Sequence, residues 1–598
     1  MLRSPYAPSS LAYAAFLAAR VPVFLATGVA GFLGCEARNT PAARPAAQTA
    51  SPIAARDTTV ASGDIQYHAA EGAGAVDEWQ DMPMLTGGND APADFAMAPS
   101  MARGEVLDMA PMTQDLIEFS DQTNAELYEG LKENGFVVAA KEPLSTFSID
   151  VDTASYSNIR RFVSQGRLPP ADAVRIEEMV NYFRYDYPRP DGDVPFAVDV
   201  EVAACPWKPE HRLARIGLAG REIARESRPP SNLVFLVDVS GSMSDFNKLP
   251  LVKTALRMLV EQLDARDRIA IVVYAGDSRV ALQSTPADRQ QEILTTVESL
   301  QSGGSTHGSA GIRDAYRLAT ENFVQGGVNR VILCTDGDFN VGTTNQEELT
   351  ELIRKQAKTG VFLSVLGFGM GNYKDATLEK LADQGNGAYA YVDNTGEARK
   401  TFVEQMSGTL ITIAKDVKIQ VDFNPGKVAA YRLVGYENRM LASEDFKDDS
   451  KDAGDIGAGH TVTALYEIVP AGQPLPDAGV EPSKYVQTEA PSDDGTLVES
   501  DELLTVRLRY KLPDSDVSQP LTVAVTDDGQ GFDEASSDFR FAAAVAALGM
   551  RLQQSKRQGE NDFDLILDLA KPGLANDPLG YRQEFVAMTE EIRKLEDR

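Results

Sequence analysis

Leu233 to Ser242 reads Leu-Val-Phe-Leu-Val-Asp-Val-Ser-Gly-Ser, an uncharged, β-branched run that ends in one carboxylate and two hydroxyls at alternate positions. Residues 233–237 have the character of a strand buried on both faces, and helical patterning resumes at Lys248. Asp238, Ser240 and Ser242 therefore fall at the carboxyl end of a buried strand, the edge of an open α/β sheet where ligands bind. Oxygen donors presented together there suit a hard cation such as Mg²⁺.

Further donors follow at the ends of later elements. Ser302-Gly-Gly-Ser-Thr306 is a glycine-rich loop opening a helix near Ser309, and Arg330-Val-Ile-Leu-Cys-Thr-Asp336-Gly is a second buried strand ending in a carboxylate. Taken singly, an Asp after a strand, Ser-Gly-Ser and Asp-Gly are ordinary turn and cap formers. In this order, each at the end of its own strand or the start of its own helix, the three segments resemble the metal-ion-dependent adhesion site of von Willebrand factor type A (VWA) domains. The resemblance implies that Ser240, Ser242 and Thr306 are direct hydroxyl ligands and that Asp238 and Asp336 bind directly or through water. It also implies Mg²⁺, with Ca²⁺ or Mn²⁺ as alternatives, and an acidic side chain from a protein partner that completes the octahedron.

Residues 229–410 alternate strand and helix patterns. Helices are expected at 248–263, 289–300, 309–323, 345–358, 376–382 and 397–410, and strands at 269–274, near Val280, and at 331–335, 361–366 and 388–392. Such alternation predicts a doubly wound, mostly parallel Rossmann-like α/β sheet with helices on both faces. Beyond Ile413 the period changes to two, in Val417–Phe423, Tyr431–Val434, Thr461–Ile468 and Leu503–Tyr510, as in half-buried antiparallel strands. Helical patterns return at 539–554 and 562–570. Upstream, 124–134 is expected to be helical, 146–151 a strand, and helices to follow Asp152 through Phe162 and over 171–183, where Leu168-Pro-Pro sets the entry.

The domain limits that follow are 1–35 signal peptide and lipobox, 36–118 linker, 119–228 amino-terminal module, 229–410 VWA domain, 411–530 β-rich domain and 531–598 helical segment. The strand candidates on either side of the VWA domain are too sparse to close separate cores, so the two flanks are expected to share one β-rich body. Phe147-Ser-Ile-Asp-Val-Asp-Thr-Ala-Ser-Tyr, Arg175-Ile-Glu-Glu-Met-Val-Asn-Tyr-Phe, Phe423-Asn-Pro, Gly435-Tyr-Glu-Asn-Arg and Asp452-Ala-Gly-Asp-Ile-Gly-Ala-Gly-His460 are similar to a bacterial family of VWA lipoproteins, some labelled calcium-activated chloride channel homologues. Two further acidic groups invite a cation reading, Asp150 with Asp152, and Asp448, Ser450, Asp452 and Asp455. For the first, turn and cap duties are the better expectation. For the second, the glycine at 454 is out of register with an EF-hand and no terminal Glu follows.

The chain has 598 residues, of which 57 are basic and 88 acidic, for a net charge of -31. Attraction to nucleic acid phosphate or to an anionic membrane surface needs basic patches, so neither is an expected partner. Three cysteines, Cys35, Cys205 and Cys334, exclude a disulfide framework, and Cys334 reads as a small core residue inside a buried strand. From Met1 to Gly34 there is no acidic residue, and 21–33 is apolar apart from small residues and Thr27. This fits a signal-peptide core. It ends in Phe32-Leu-Gly-Cys35, which resembles a bacterial lipoprotein box and implies a lipid on Cys35. Residues 36–118, rich in Ala, Pro, Ser, Gly and scattered Met, read as a disordered tether.

Catalysis is poorly supported. A phosphotransferase of the haloacid dehalogenase type also sets an Asp after its first strand, but needs a second Asp where Ser240 stands. Ser240 or Ser242 as nucleophile needs a positioned base. Of the histidines His68, His211, His307 and His460, only His307 adjoins a site segment, and it reads as a polar flank of the metal loop. No zinc spacing or Walker loop is present. The expectation is a non-enzymatic, lipid-anchored protein of the cell envelope, outside the cytoplasm, that captures an acidic group of a protein partner through Mg²⁺. A metal-dependent phosphohydrolase and a structural scaffold with an occupied metal site are the alternatives.

Overall fold

The computed structural model describes Tyr128, Gly130 and residues 132–305, 308–337, 346–369, 375–476 and 499–598. Cys35 and the segments expected to be leader and linker, with Thr306 and His307, lie outside the described residues. The first flank contributes strands β1 (Val137–Val138) and β2 (Leu144–Ser148), helices α1 (Ala154–Ser164) and α2 (Ile176–Asn181), and the hairpin β3 (Phe196–Cys205) and β4 (Lys208–Gly220). The central segment follows as β5 (Ser231–Asp238), α3 (Leu249–Val260), β6 (Arg268–Tyr274), β7 (Ser278–Pro286), α4 (Gln290–Ser299), α5 (Gly308–Glu321), β8 (Val328–Thr335), α6 (Gln346–Ala357), β9 (Val361–Phe368), α7 (Asp375–Gln384), β10 (Tyr389–Val392) and α8 (Thr395–Arg399). The second flank holds α9 (Met406–Leu410), β11 (Thr412–Phe423), β12 (Val428–Val434), β13 (Met440–Leu441), β14 (Ile456–Gly457), β15 (Thr461–Pro470), β16 (Glu502–Lys511), β17 (Ser518–Thr526) and helices α10 (Ser537–Leu552), α11 (Phe563–Ala570) and α12 (Tyr581–Glu596).

The central sheet runs β10-β9-β8-β5-β6-β7, parallel except for β7, which pairs antiparallel with β6. Strand β5 sits between β8 and β6, covered on both faces, because period-two alternation sends Leu233, Phe235 and Val237 into one core and Val234 and Leu236 into the other. Helix α5 covers the second face through Ile312, Ala315, Tyr316 and Ala319, spaced as one helical stripe. Gly311 lets it approach closely, since a Cβ there would stand 3.0 Å from both Leu236 and Tyr274.

Both flanking sheets mix strands from either side of this unit. One runs β1-β12-β15-β4-β3 and the other β13-β2-β11-β16-β17. Their inner faces meet in a core where Phe423 stacks on Tyr431 at 3.9 Å between ring centroids and Tyr466 meets Phe423 edge-on. Helices α1, α2 and α10 to α12 pack against β4 and β15 around Trp207, Leu213, Leu465 and Phe541. Helix α10 is apolar nearly all round because it is enclosed by this layer. Cys205 and Cys334 are buried free thiols. Among the described residues no helix is long and apolar enough to cross a membrane.

Three helix expectations are corrected. Tyr128, Gly130 and 132–136 are not helical: Asn134 donates to the carbonyls of Leu433 and Gly435, so tertiary bonds hold the segment extended along β12. The 171–183 helix is a 3₁₀ turn at Ala171–Ala173 followed by α2, because Arg175 gives its N–H to Ser155 Oγ instead of to a helical carbonyl. The 397–410 helix is broken by a π turn at Lys400–Glu404, where Gln405 N reaches back to Lys400 O and the Lys400 ammonium is drawn inward to the Tyr182 carbonyl. Phe196-Ala-Val-Asp-Val-Glu-Val, which alternates, forms with β4 a hairpin that lies outside the expected strands.

Candidate metal centre

Strand β5 ends at Asp238, and the chain turns at once because Asp238 Oδ1 accepts the Ser240 N–H at 2.8 Å. Val239 N bonds Tyr274 O at the end of β6, Gly303 N bonds Val239 O, and Gly241 N bonds Gly304 O. The Asp238 loop is thus stitched to the glycine-rich loop that leads to Thr306. Gly304 has φ +87°, a conformation that favours glycine. Within the loop, Ser240 Oγ and Ser242 Oγ lie 3.0 Å apart. Ser240 is buried, whereas Ser242 is half-buried and opens toward solvent.

Asp336 follows the last residue of β8, the strand beside β5, and is fully buried. Its Oδ2 accepts a hydrogen bond from Lys248 Nζ at 3.0 Å, while Oδ1 is buried with no hydrogen-bond partner among the described residues. Lys248 precedes α3 and passes the end of β9 to reach Asp336. Gly369 makes that passage, since a Cβ there would fall 2.3 Å from Lys248 Cε. The second oxygen of Asp238 faces Thr335 Oγ1 at 3.5 Å, and the Tyr274 hydroxyl is directed at both residues. Burial pushes the Asp238 carboxyl up to about 6; hydrogen bonds from Ser240 oppose the rise and the charge of Asp336 adds to it.

The structure thus brings Asp238, Ser240, Ser242 and Asp336 together at one sheet edge. These are hard oxygen donors, and the orphaned Asp336 Oδ1 is the kind of atom a bound cation would satisfy. Among the described residues no group of three or more His, Cys, Asp or Glu is disposed to hold a metal, so this donor set depends on hydroxyls as well as carboxylates. Lys248 and Tyr274 were not singled out in the sequence. Lys248 carried a usable signal, because a cation at a helix amino terminus opposes the helix dipole and so points to another duty.

The other acidic groups serve packing. Asp150 Oδ1 accepts the Asp152 N–H, and both carboxylates pair with Arg439, which also binds Glu379 and Asp383 of α7. Asp448 bonds Ser450 in an exposed local turn, whereas Asp452 and Asp455 gather instead at Asp416, whose N–H bonds Asp455, so the four residues do not form one loop site. His211 pairs with Glu467 at 2.6 Å, and His460 is driven down to about 4 by burial, with the Arg184 and Arg330 charges adding to the fall.

Residues 232–405 match the family model described as von Willebrand factor type A domain, which with the sheet order and the Asp238 loop defines the class of this chain. Residues 122–215 match a model described as von Willebrand factor, and 408–595 one described as Uncharacterized protein YfbK, C-terminal. The chain is 42% identical over 473 residues to the protein of Escherichia coli (strain K12) described as "Uncharacterized protein YfbK", spanning 77% of this chain and 80% of that one. It belongs to that VWA-containing, YfbK-like bacterial family. The human inter-alpha-trypsin inhibitor heavy chain H3 is 29% identical over 199 residues, 31% of this chain and 22% of that one. A solved structure described as von Willebrand factor type A from Catenulispora acidiphila aligns at 17% identity with a TM-score of 0.38, over 67% of this chain and 91% of that one.

Proposed function

We propose that this chain is a non-enzymatic binding protein whose VWA domain takes Mg²⁺ at Asp238, Ser240, Ser242, Thr306 and Asp336 and captures an acidic side chain of a protein partner. The observation that carries the reading is the meeting, at the carboxyl edge of adjacent strands, of Asp238, the Ser240–Ser242 hydroxyl pair and an Asp336 Oδ1 that has no partner among the described residues. Two carboxylates and three hydroxyls leave an octahedral cation short of a full shell, and the half-buried Ser242 puts the open side toward solvent. A partner carboxylate would displace water there and offset the cation's charge. A lipid on Cys35 would anchor the chain to a membrane of the cell envelope, outside the cytoplasm. The alignment with an inter-alpha-trypsin inhibitor heavy chain supports an interaction module and says nothing of the partner.

Affinity capture from envelope extracts, in Mg²⁺ and in excess chelator, tests the proposal. Partners retained in Mg²⁺ and released by chelator are expected. Equal retention in both, or turnover of generic phosphate esters by the purified chain, would sink it.

A further inference from the structure

We infer that Phe246 is the second anchor of the capture surface, and that the partner segment is an extended peptide carrying one acidic residue with a large apolar side chain within four residues of it and no second acid beside it. This rests on the metal-capture reading above and names the partner's chemistry. Phe246 is 83% exposed, the most exposed large hydrophobic side chain among the described residues. It lies between two residues committed to the site, Ser242 at its open edge and Lys248, which binds Asp336.

The loop holds Phe246 outward. Lys248 N bonds Asp245 O at 3.0 Å, closing a tight turn with Phe246 and Asn247 at its centre. Asn247 and Lys248 are buried, and Gly241 is tied to Gly304 at the other end of the loop. A ring carried on a braced turn leaves little backbone freedom to be lost when a partner covers it, and a few large buried anchors dominate interface energies. Left uncovered, the same ring has its apolar surface in water.

Geometry and charge set the rest of the motif. Phe246 lies four positions after Ser242, a span of at most about 15 Å of chain that the turn shortens. An extended peptide places same-face side chains roughly 7 Å apart, so a carboxylate on the metal and an apolar group on Phe246 fall two to four residues apart. Asp245, beside Phe246, has a side chain 66% exposed, and its contact with Lys248 is a distant 3.9 Å. Its charge and the chain's net charge of -31 act against a second acid in the peptide, whereas the cation rewards one.

Random nonapeptides displayed on phage, selected on the full chain in Mg²⁺ and eluted with EDTA, provide the test. Selected peptides should carry a single Asp or Glu with Phe, Tyr, Trp, Leu or Ile within four positions and should be depleted in acidic pairs. The best of them, synthesised, should bind Phe246→Ser at least tenfold more weakly and Phe246→Tyr nearly as well as wild type, with the Mg²⁺-induced rise in melting temperature equal in all three proteins. Acid-bearing peptides without an apolar neighbour, or wild-type affinity in Phe246→Ser, overturn the inference and leave metal capture standing. Absence of EDTA-eluted, acid-bearing peptides on wild type removes both. Mg²⁺-dependent self-association that Phe246→Ser abolishes would assign the ring to a second copy and overturn the peptide assignment.

Discussion

Lys248 Nζ donates to Asp336 Oδ2 at 3.0 Å with both side chains buried, so one of the two acids of the candidate centre already carries a tethered cation. Removing one member of a buried pair leaves the other charge uncompensated, at a cost of roughly 3–5 kcal/mol. Lys248→Met should therefore melt well below wild type in chelator. Added Mg²⁺ should restore part of the loss, giving a larger metal-induced rise than in wild type. Calorimetry in EDTA and in Mg²⁺ checks this, and equal rises in the two proteins would show that Lys248 and the cation do not share Asp336.

Mg²⁺ that binds only the folded chain stabilises it by about 2.7 kcal/mol at a hundredfold excess over Kd. Asp238→Ala should abolish that gain. Thr306→Ala should weaken partner capture more than it lowers the melting temperature, since it takes away one oxygen and leaves the sheet intact. Thermal melts with and without Mg²⁺, set beside the capture assay, separate the two effects. A full metal-induced rise in Asp238→Ala would remove that residue from the site.

Glu177 gives a pH signature independent of the metal. Burial, with the neighbouring Glu437 and Asp150 charges, pushes its carboxyl up to about 8 from an ordinary 4.5. Between those values the folded chain holds a proton that the unfolded chain releases. The contribution is therefore fully present below about 4.5 and lost as pH rises through about 8, on the order of a few kcal/mol. Glu177→Gln should match wild type near pH 5 and exceed it near pH 9 in urea unfolding. The assignment fails if the two proteins keep the same stability difference at both pH values.

Because both flanking sheets draw strands from either side of the central unit, residues 229–410 expressed alone should melt cooperatively, whereas 119–228 alone should not. In the short piece β4 lacks β15 and β2 lacks β11. Circular dichroism melts of the two fragments decide the matter, and a cooperative transition in 119–228 would count against a shared body.

Asp238, Ser240, Ser242 and Asp336 were legible because each lies at or just beyond the end of a strand whose uninterrupted apolar run announces it. The alternation of the central unit was legible for the same reason. Features set by distant partners were not. Helical periodicity ran unbroken through 397–410, yet the pull of Tyr182 O on Lys400 makes a π turn. The strand β3 alternates but is half-buried along much of its length, so its pattern is weak without β4 beside it. Arg439 could not be joined to its four carboxylates from spacing, since Asp150 lies 289 residues away in sequence and Glu379 and Asp383 lie 60 and 56 away.

The interleaving of the flanks also sets an order of events during synthesis. Strand β2 ends at Ser148 and its neighbour β11 begins at Thr412, about 260 residues later. At ribosomal rates of roughly 5–20 residues per second, that interval lasts about 13–50 s. The central unit, contained between Ser231 and Arg399, is complete before β11 emerges. Until then β2 and the outer edge of β4 offer unpaired backbone groups to any strand nearby. Their safe passage through that interval depends on what shields them before the second flank arrives.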